Sequence, residues 1–442
     1  MNRPHPKQNR PQSPFVLTVL CFGLTALVIS CTSGAPACGQ EDQAAESRWY
    51  KGNMHTHSLW SDGNDFPEMI AQWYRDQGYQ FLTLSDHNIL SIGEKWIGQE
   101  TLAKRGADAA LDRYRNRFGD DWVETREVDG RLQIRLKTLE EFRSKLEEPE
   151  QFLLVQSEEI TDHFGSLPVH INATNLEEVI RPQGGDSVVE TIQNNLKAVQ
   201  LQRVKVDRPV IAHLNHPNFG YGVSATDLAE ATREDFFEIF NGHPSVNQKG
   251  DASHMSVEKM WDFVNCLRLT KFEDRPLFGV ATDDSHHYFT DSGSISGRGW
   301  VQVRSTRLDP DSLVESMERG DFYASTGVEL KTVQWDLDSR ELRVEVQPQK
   351  GANYKIRFVG AKKQDAAALA VAYENDPDLS ECPEAIGSTL AVVEGESAMY
   401  QIPNDVLYVR AVIESDQSVA RPVWDGQVEK AWTQPVGWRD KP

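Results

Sequence analysis

Residues 277–288 read LFGVATDDSHHY, an apolar run that ends abruptly in carboxylates and imidazoles. A short apolar run with a polar boundary is the pattern of a buried strand. Asp284 and His286, one residue apart just beyond it, would project to the same side of an extended chain. Asp283 and His287 are their immediate neighbours. Residues 50–63, YKGNMHTHSLWSDG, show the same spacing with His55 and His57, and Asp62 follows after a short polar loop.

The design recurs between these two motifs. FLTLSDHN (81–88) ends in Asp86 and His87, QFLLVQSEEIT (151–161) in Glu158 and Glu159, LPVHINATN (167–175) carries His170, and PVIAHLNHPNFG (209–220) carries His213 and His216. With FFEIFNG (236–242) and WVQVRS (300–305), these runs alternate with amphipathic patterns that predict helices near 67–78, 187–202, 255–268 and 310–319. Strand and helix in alternation imply parallel pairing with helices outside, and seven or more such units suggest a barrel, whose carboxyl strand ends form the active face. The fold class expected is therefore α/β, a barrel over residues 48–327. Residues 92–150 interrupt the rhythm with charged helical sequence and a hairpin turning at Asp129-Gly130; they read as an insertion that covers the site. From Val328 the pattern changes to period two (KTVQWDL, ELRVEVQP, YKIRFVG, LYVRAVIE), which predicts a small antiparallel β-sandwich over 328–442.

The amino terminus is of another kind. Arg3, Lys7 and Arg10 precede an apolar run from Phe15 to Ile29, the layout of a signal peptide over residues 1–30. Val28-Ile29-Ser30-Cys31 resembles the lipobox of bacterial lipoproteins, which implies a lipid on Cys31, a tether over 31–47 and a protein exported to the cell envelope or periplasm. Cleavage after Ala37, in Ala35-Pro36-Ala37, is the alternative. The chain of 442 residues has 46 Lys and Arg against 67 Asp and Glu, a formal net charge of −21. Such a surface repels phosphate backbones and anionic headgroups, which argues against nucleic-acid partners and against membrane contact other than through the lipid. A small-molecule substrate is expected. Cys266 and Cys382 read as unpaired thiols.

Imidazoles and carboxylates at most strand ends, twice at i,i+2 spacing, point to a metal site of nitrogen and oxygen ligands suited to zinc, manganese or iron. The order of motifs, from the HTH step through SDH, the glutamate and NHP to DDSH, resembles the polymerase and histidinol phosphatase (PHP) superfamily over about residues 50–290. The VHINA stretch and the β tail are similar to its secreted branch, typified by carbaryl hydrolase. The resemblance implies a distorted barrel of seven strands and two or three divalent metal ions held by His55, His57, Asp62, His87, Glu159, His170, His216, Asp284 and His286. Within it, Glu159 is chosen over Glu158 because an aliphatic residue follows, and His216 over His213 because Pro217 follows.

The activity implied is metal-dependent hydrolysis, in which two cations activate a bridging water and neutralise the developing oxyanion. A phosphoesterase acting on a small phosphorylated molecule is the favoured reading. An ester or carbon–nitrogen (amide or carbamate) hydrolase is the alternative, and a non-catalytic metal-containing binding protein a third. His213 or His243 would supply a proton to the leaving group, and Arg298, or less favourably Arg319, would bind an anionic substrate. Asp86, Asp283 and Glu158 are expected to orient imidazoles, and Asn241 to face the site.

Overall fold

The computed structural model describes residues 46–377 and 379–439. The expected signal peptide and nearly all of the expected tether lie outside them. The described residues belong to one compact unit. Among them, no helix is long and apolar enough to cross a membrane.

The residues ahead of the first motif form β1 (Arg48–Asn53), and the apolar runs form strands where their pattern predicts them: β2 (Phe81–Leu84), β3 (Leu153–Phe164), β4 (Leu167–Thr174), β5 (Ile211–Leu214), β6 (Phe236–Asn241) and β7 (Phe278–Thr282). They are hydrogen-bonded neighbours in the order β7-β6-β5-β4-β3-β2-β1, within a sheet of thirteen strands. β6 and β7 are buried along their whole length, which is why they read as nearly continuous apolar runs. Helices Val188–Val206 and Val257–Thr270 return the chain between strands; each starts at a serine, Ser187 or Ser256, whose hydroxyl accepts a first-turn backbone N–H. Beyond the ends of β1 and β7, Asp284 N donates to His55 O at 3.0 Å and His57 N to Ser285 O at 2.9 Å, in a parallel bridge between Thr56 and Ser285. The first and last motifs are thus hydrogen-bonded to each other, an arrangement consistent with a distorted barrel.

Two of the expected strands depart from parallel pairing: Trp300–Ser305, which lies antiparallel to β1, and β4. β4 runs antiparallel to both β3 and β5. The reason is local: only Gly165 and Ser166 separate β3 from β4, Gly165 has φ of +60°, and Phe164 pairs with Leu167. Parallel neighbours need a crossover of a dozen or more residues; a two-residue turn forces a hairpin. His170 consequently enters from the beginning of its strand, opposite Thr161.

The insertion holds a three-stranded sheet and the short helices Gln99–Lys104, Ala110–Phe118 and Leu139–Leu146. Its hairpin turns at Asp129 and Gly130, both at positive φ. The tail continues the large sheet, since Phe322–Ser325 pairs with Val428–Thr433. A second sheet of strands Leu330–Asp336, Glu341–Val346 and Ser397–Gln401 lies over this end, and Leu342, Val344, Ile356, Phe358 and Val409 share the core between them. The tail also contains a helix absent from the period-two reading, Lys363–Asn375. Its Ala366, Leu369 and Tyr373 join the core formed by barrel residues such as Trp261 and Leu267.

Candidate metal centre

The strand ends bring imidazoles and carboxylates into contiguous groups whose ligand atoms lie within 4.8 Å of one another: His55, His57 and Glu159; His55, His216 and Asp284; Glu159, His170 and His216; and His57, Asp62, His87 and His286. All nine residues singled out as ligands from the sequence fall in these four groups. They form two tiers. His55 and His57 are fully buried, Glu159 and Asp284 nearly so, whereas the Asp62 side chain is 52% exposed and His87 and His286 are partly exposed.

At the inner tier, His55 Nε2 lies 3.5 Å from Glu159 Oε2 and 3.4 Å from Asp284 Oδ1, and His57 Nε2 lies 3.4 and 3.2 Å from the same oxygens. Glu159 uses its two oxygens in different directions. Oε1 is 2.9 Å from His170 Nδ1 and 3.5 Å from His216 Nε2; Oε2 is 2.8 Å from His87 Nδ1 and faces His55 and His57. Although crowded by three imidazoles, Oε2 is buried and takes no hydrogen bond. An oxygen so placed suits a cation better than a hydrogen bond, because burying a carboxylate oxygen unpaired is costly. The described residues therefore hold His, Asp and Glu clusters capable of coordinating two or three divalent ions.

Two of the candidate ligands stand on unusual backbone. His216 has φ of +23° and Asp284 +48°, a region that non-glycine residues rarely enter and that clusters at functional sites. The electrostatics are those of a closely coupled set. Burial opposes protonation of His87, but Glu159 and Asp62 hold it up to about 11. Burial, with His286 and His87 alongside, pushes His57 down to about 3. Burial likewise works against ionisation of Glu159, yet the surrounding imidazoles keep it well below the usual carboxylate range.

A carboxylate not singled out from the sequence underlies the cluster. Glu238, fully buried in β6, lies 2.7 Å from His55 Nδ1 through Oε1, and its Oε2 accepts from His216 N at 2.7 Å and Asn241 Nδ2 at 2.8 Å. It fixes the His55 ring so that Nε2 faces the other ligands, the role a carboxylate commonly plays behind a metal-binding imidazole. The signal was present: one charge inside FFEIF, on an otherwise apolar buried strand. Asn215 also escaped notice; its Nδ2 donates to Glu159 Oε1 at 2.8 Å. Asn241 does face the site, donating to Asp284 Oδ2 at 3.1 Å.

Other expectations differ from the structure. Asp86 accepts from the backbone and hydroxyls of Ser58 and Ser61, Asp283 from Tyr74 Oη and the N–H groups of Gly297, Arg298 and Gly299, and Glu158 from Ile180 N. These carboxylates order backbone; the expected imidazole-orienting role falls to Glu238. His213 is fully buried, with Nε2 3.7 Å from Glu238 Oε1, and forms with His55 and Glu238 a further group whose ligand atoms lie within 4.8 Å of one another. Its side chain is buried, unlike those of Asp62 and His87, where solvent reaches the cluster. His243 is half-buried, its ring 5.6 Å from that of His286. Arg298 is buried, and its guanidinium donates to the carbonyls of Gly242, Gly293, Arg421 and Pro422; it holds loops together and is not presented to an anion. Arg319 pairs with Asp321.

No family model and no curated protein matches this sequence. Among solved structures, the chain is similar to a two-domain protein from Bacteroides vulgatus containing a predicted PHP-like metal-dependent phosphoesterase, at 14% identity and TM-score 0.39, covering 91% of this chain and 100% of that one. A proposed metal-dependent phosphoesterase from Bifidobacterium adolescentis matches at 10% identity and TM-score 0.31, over 62% of this chain and 96% of that one. An amidohydrolase from Chromobacterium violaceum matches at 13% identity and TM-score 0.28, over 55% and 89%. At these scores no residue role is carried over; the chemistry is read from the cluster itself.

Proposed function

We propose that this chain is a metal-dependent hydrolase of the PHP type, a phosphoesterase acting on a small phosphorylated molecule at the rim formed by Asp62, His87, His170 and His286. The observation that carries the reading is Glu159, one buried carboxylate whose two oxygens face two different sets of imidazoles, so that it would serve both sets if each held a cation. Bound divalent ions would supply Lewis acidity and an activated water. The chain's own contribution is orientation: Glu238 aims His55, Asn215 steadies Glu159, and Asn241 steadies Asp284. The bridge from Thr56 to Ser285 supports a closed seven-stranded barrel. The VHINA strand and antiparallel tail support the secreted branch similar to carbaryl hydrolase.

A second reading, hydrolysis of an uncharged ester or carbamate, is favoured by Arg298, whose guanidinium is engaged by carbonyls instead of facing the cluster. We also propose, from residues 1–38, export to the cell envelope with a lipid on Cys31; a Cys31→Ala variant that still incorporates labelled palmitate would contradict this.

The deciding experiment is elemental analysis of soluble chain 39–442 reconstituted with zinc, manganese or iron, with assays on aryl phosphates, phosphodiesters, carboxyl esters and carbamates. Two or more ions per chain, with turnover abolished in Asp284→Ala, supports the hydrolase, and the substrate panel decides between the two readings. No tightly bound ion with any of the three metals overturns both.

A further inference from the structure

The outermost ligand is also the one least anchored by its own strand. Asp62 lies on a loop, residues 58–65, beyond the end of β1, and its side chain is half exposed. It nevertheless stands 3.5 Å from His87 Nε2 and 3.4 Å from His286 Nε2. Something other than burial must hold it there.

Three cations of the 92–150 insertion converge on that loop. Lys95 Nζ donates to Trp60 O, and Arg105 donates to Ser61 O and, at 2.9 Å, to Gly63 O, so that the carbonyls on both sides of Asp62 are gripped by one guanidinium. Arg113 Nη2 pairs at 2.6 Å with Asp65, whose other oxygen accepts from Phe66 N. From beneath, Asp86 takes the N–H and hydroxyl groups of Ser58 and Ser61. Gly63 turns the loop so tightly that any side chain there would run into the His57 carbonyl.

We propose that the insertion is a clamp that preforms the outer cation position, with Arg105 as its principal positioning residue, so that an ion at Asp62, His87, His286 and the shared His57 is gained and lost separately from ions at the inner tier. This rests on the metal-centre reading above and extends it to regulation of occupancy. The physical reason is preorganisation. A flexible acidic loop would have to be ordered each time an ion binds, and the clamp removes that entropy loss beforehand. Charge-assisted bonds to carbonyls suit the task, since they position backbone without neutralising the Asp62 carboxylate. Repulsion between Arg105 and a bound cation is screened at this solvent-facing tier. The inner ligands make no contact with the three cations in the hydrogen bonds or ion pairs of the described residues, so weakening the clamp should spare them.

The test uses the zinc-loaded protein, with zinc per chain measured after gel filtration and zinc release to a weak chelator followed in time. Variants are Arg105→Ala, the conservative Arg105→Lys, and Asp62→Ala as the marker of outer-site loss. The wild type is expected to release zinc in a fast and a slow phase. Arg105→Ala should lose the fast-phase zinc, or bind it at least tenfold more weakly, as Asp62→Ala does, while the slow-phase zinc and the far-UV dichroism stay unchanged; Arg105→Lys should be intermediate. An Arg105→Ala protein with wild-type zinc content and release overturns the clamp, and so does loss of zinc equally from both phases in the folded Arg105→Lys protein. A wild type that binds no zinc overturns the metal centre itself, an outcome distinct from the failure of the clamp.

Discussion

The Nε2 atoms of His55 and His57 lie 3.1 Å apart, both fully buried. His55 turns its Nδ1 toward Glu238 at 2.7 Å, so in the neutral ring the proton sits there and Nε2 presents a lone pair. Two imidazole nitrogens at this distance, with Glu159 and Asp284 oxygens beside both, define a position where positive charge is favoured. Against the opposing effect of burial, Asp284, Glu238 and Glu159 hold a proton on His55 well above the usual imidazole range in the metal-free protein; a divalent cation would take that place.

Glu159 and Glu158 are adjacent but face opposite ways, which makes them a matched pair. Glu159→Ala should abolish tight metal binding and lower kcat by at least about a thousandfold, since it removes a ligand common to two groups. Glu158→Ala should keep metal and activity within a few-fold while losing about 1–3 kcal/mol of stability through the unpaired Ile180 N–H. Elemental analysis and thermal melts on both variants check this.

Glu238→Gln keeps the shape of the side chain but removes the charge that holds the His55 proton. Metal affinity should fall about 10- to 100-fold, with activity recovered at high metal concentration. Metal titration of the apo-protein measures it. Unaltered affinity would show that Glu238 only fills space.

Chelation should destabilise the fold. Ions that bind only the native state, at a free concentration one hundred times their dissociation constant, add about 2.7 kcal/mol each. The melting temperature should therefore drop by several degrees on metal removal and return on reconstitution, as calorimetry would record.

Glu68 joins the first helix of the barrel to the insertion by accepting from Tyr114 Oη and Trp122 Nε1, and burial pushes it from 4.5 up to about 7. Its folded-state pKa lies above the unfolded one, so its contribution to stability is complete below about pH 4.5 and is lost as pH rises through about 7. Relative to Glu68→Gln, the wild type should lose up to about 3 kcal/mol between pH 4.5 and 8. Denaturant titrations of both metal-free proteins at several pH values test the sign.

Asp262 and Arg410, both 2% exposed, pair at 2.6 Å across the junction of barrel and tail, and Tyr408 Oη donates to the same carboxylate at 2.8 Å. Asp262→Ala leaves a buried guanidinium uncompensated and should cost about 3–5 kcal/mol. Because the tail's helix and strands share the barrel core, the wild type should melt in a single transition; two resolved transitions would contradict this.

Much of the site was legible in the chain because its ligands are local features of their strands. An apolar run that ends in SDH or DDSH declares both the strand and the side on which its end residues project, since alternation is a property of a few consecutive residues. The ligand types, the strand-helix rhythm and the metal class follow from sequence alone. What only the tertiary structure decided are relations across long separations. Glu238 meets His55 across 183 residues, Arg105 grips the Asp62 loop across 42 to 44, and Arg298 is drawn away from the cluster by carbonyls as far as 124 residues on. The antiparallel course of β4 and the tail strands that extend the barrel's sheet belong to the same class. A periodic pattern records which face of an element is buried, but not which partner is buried against it.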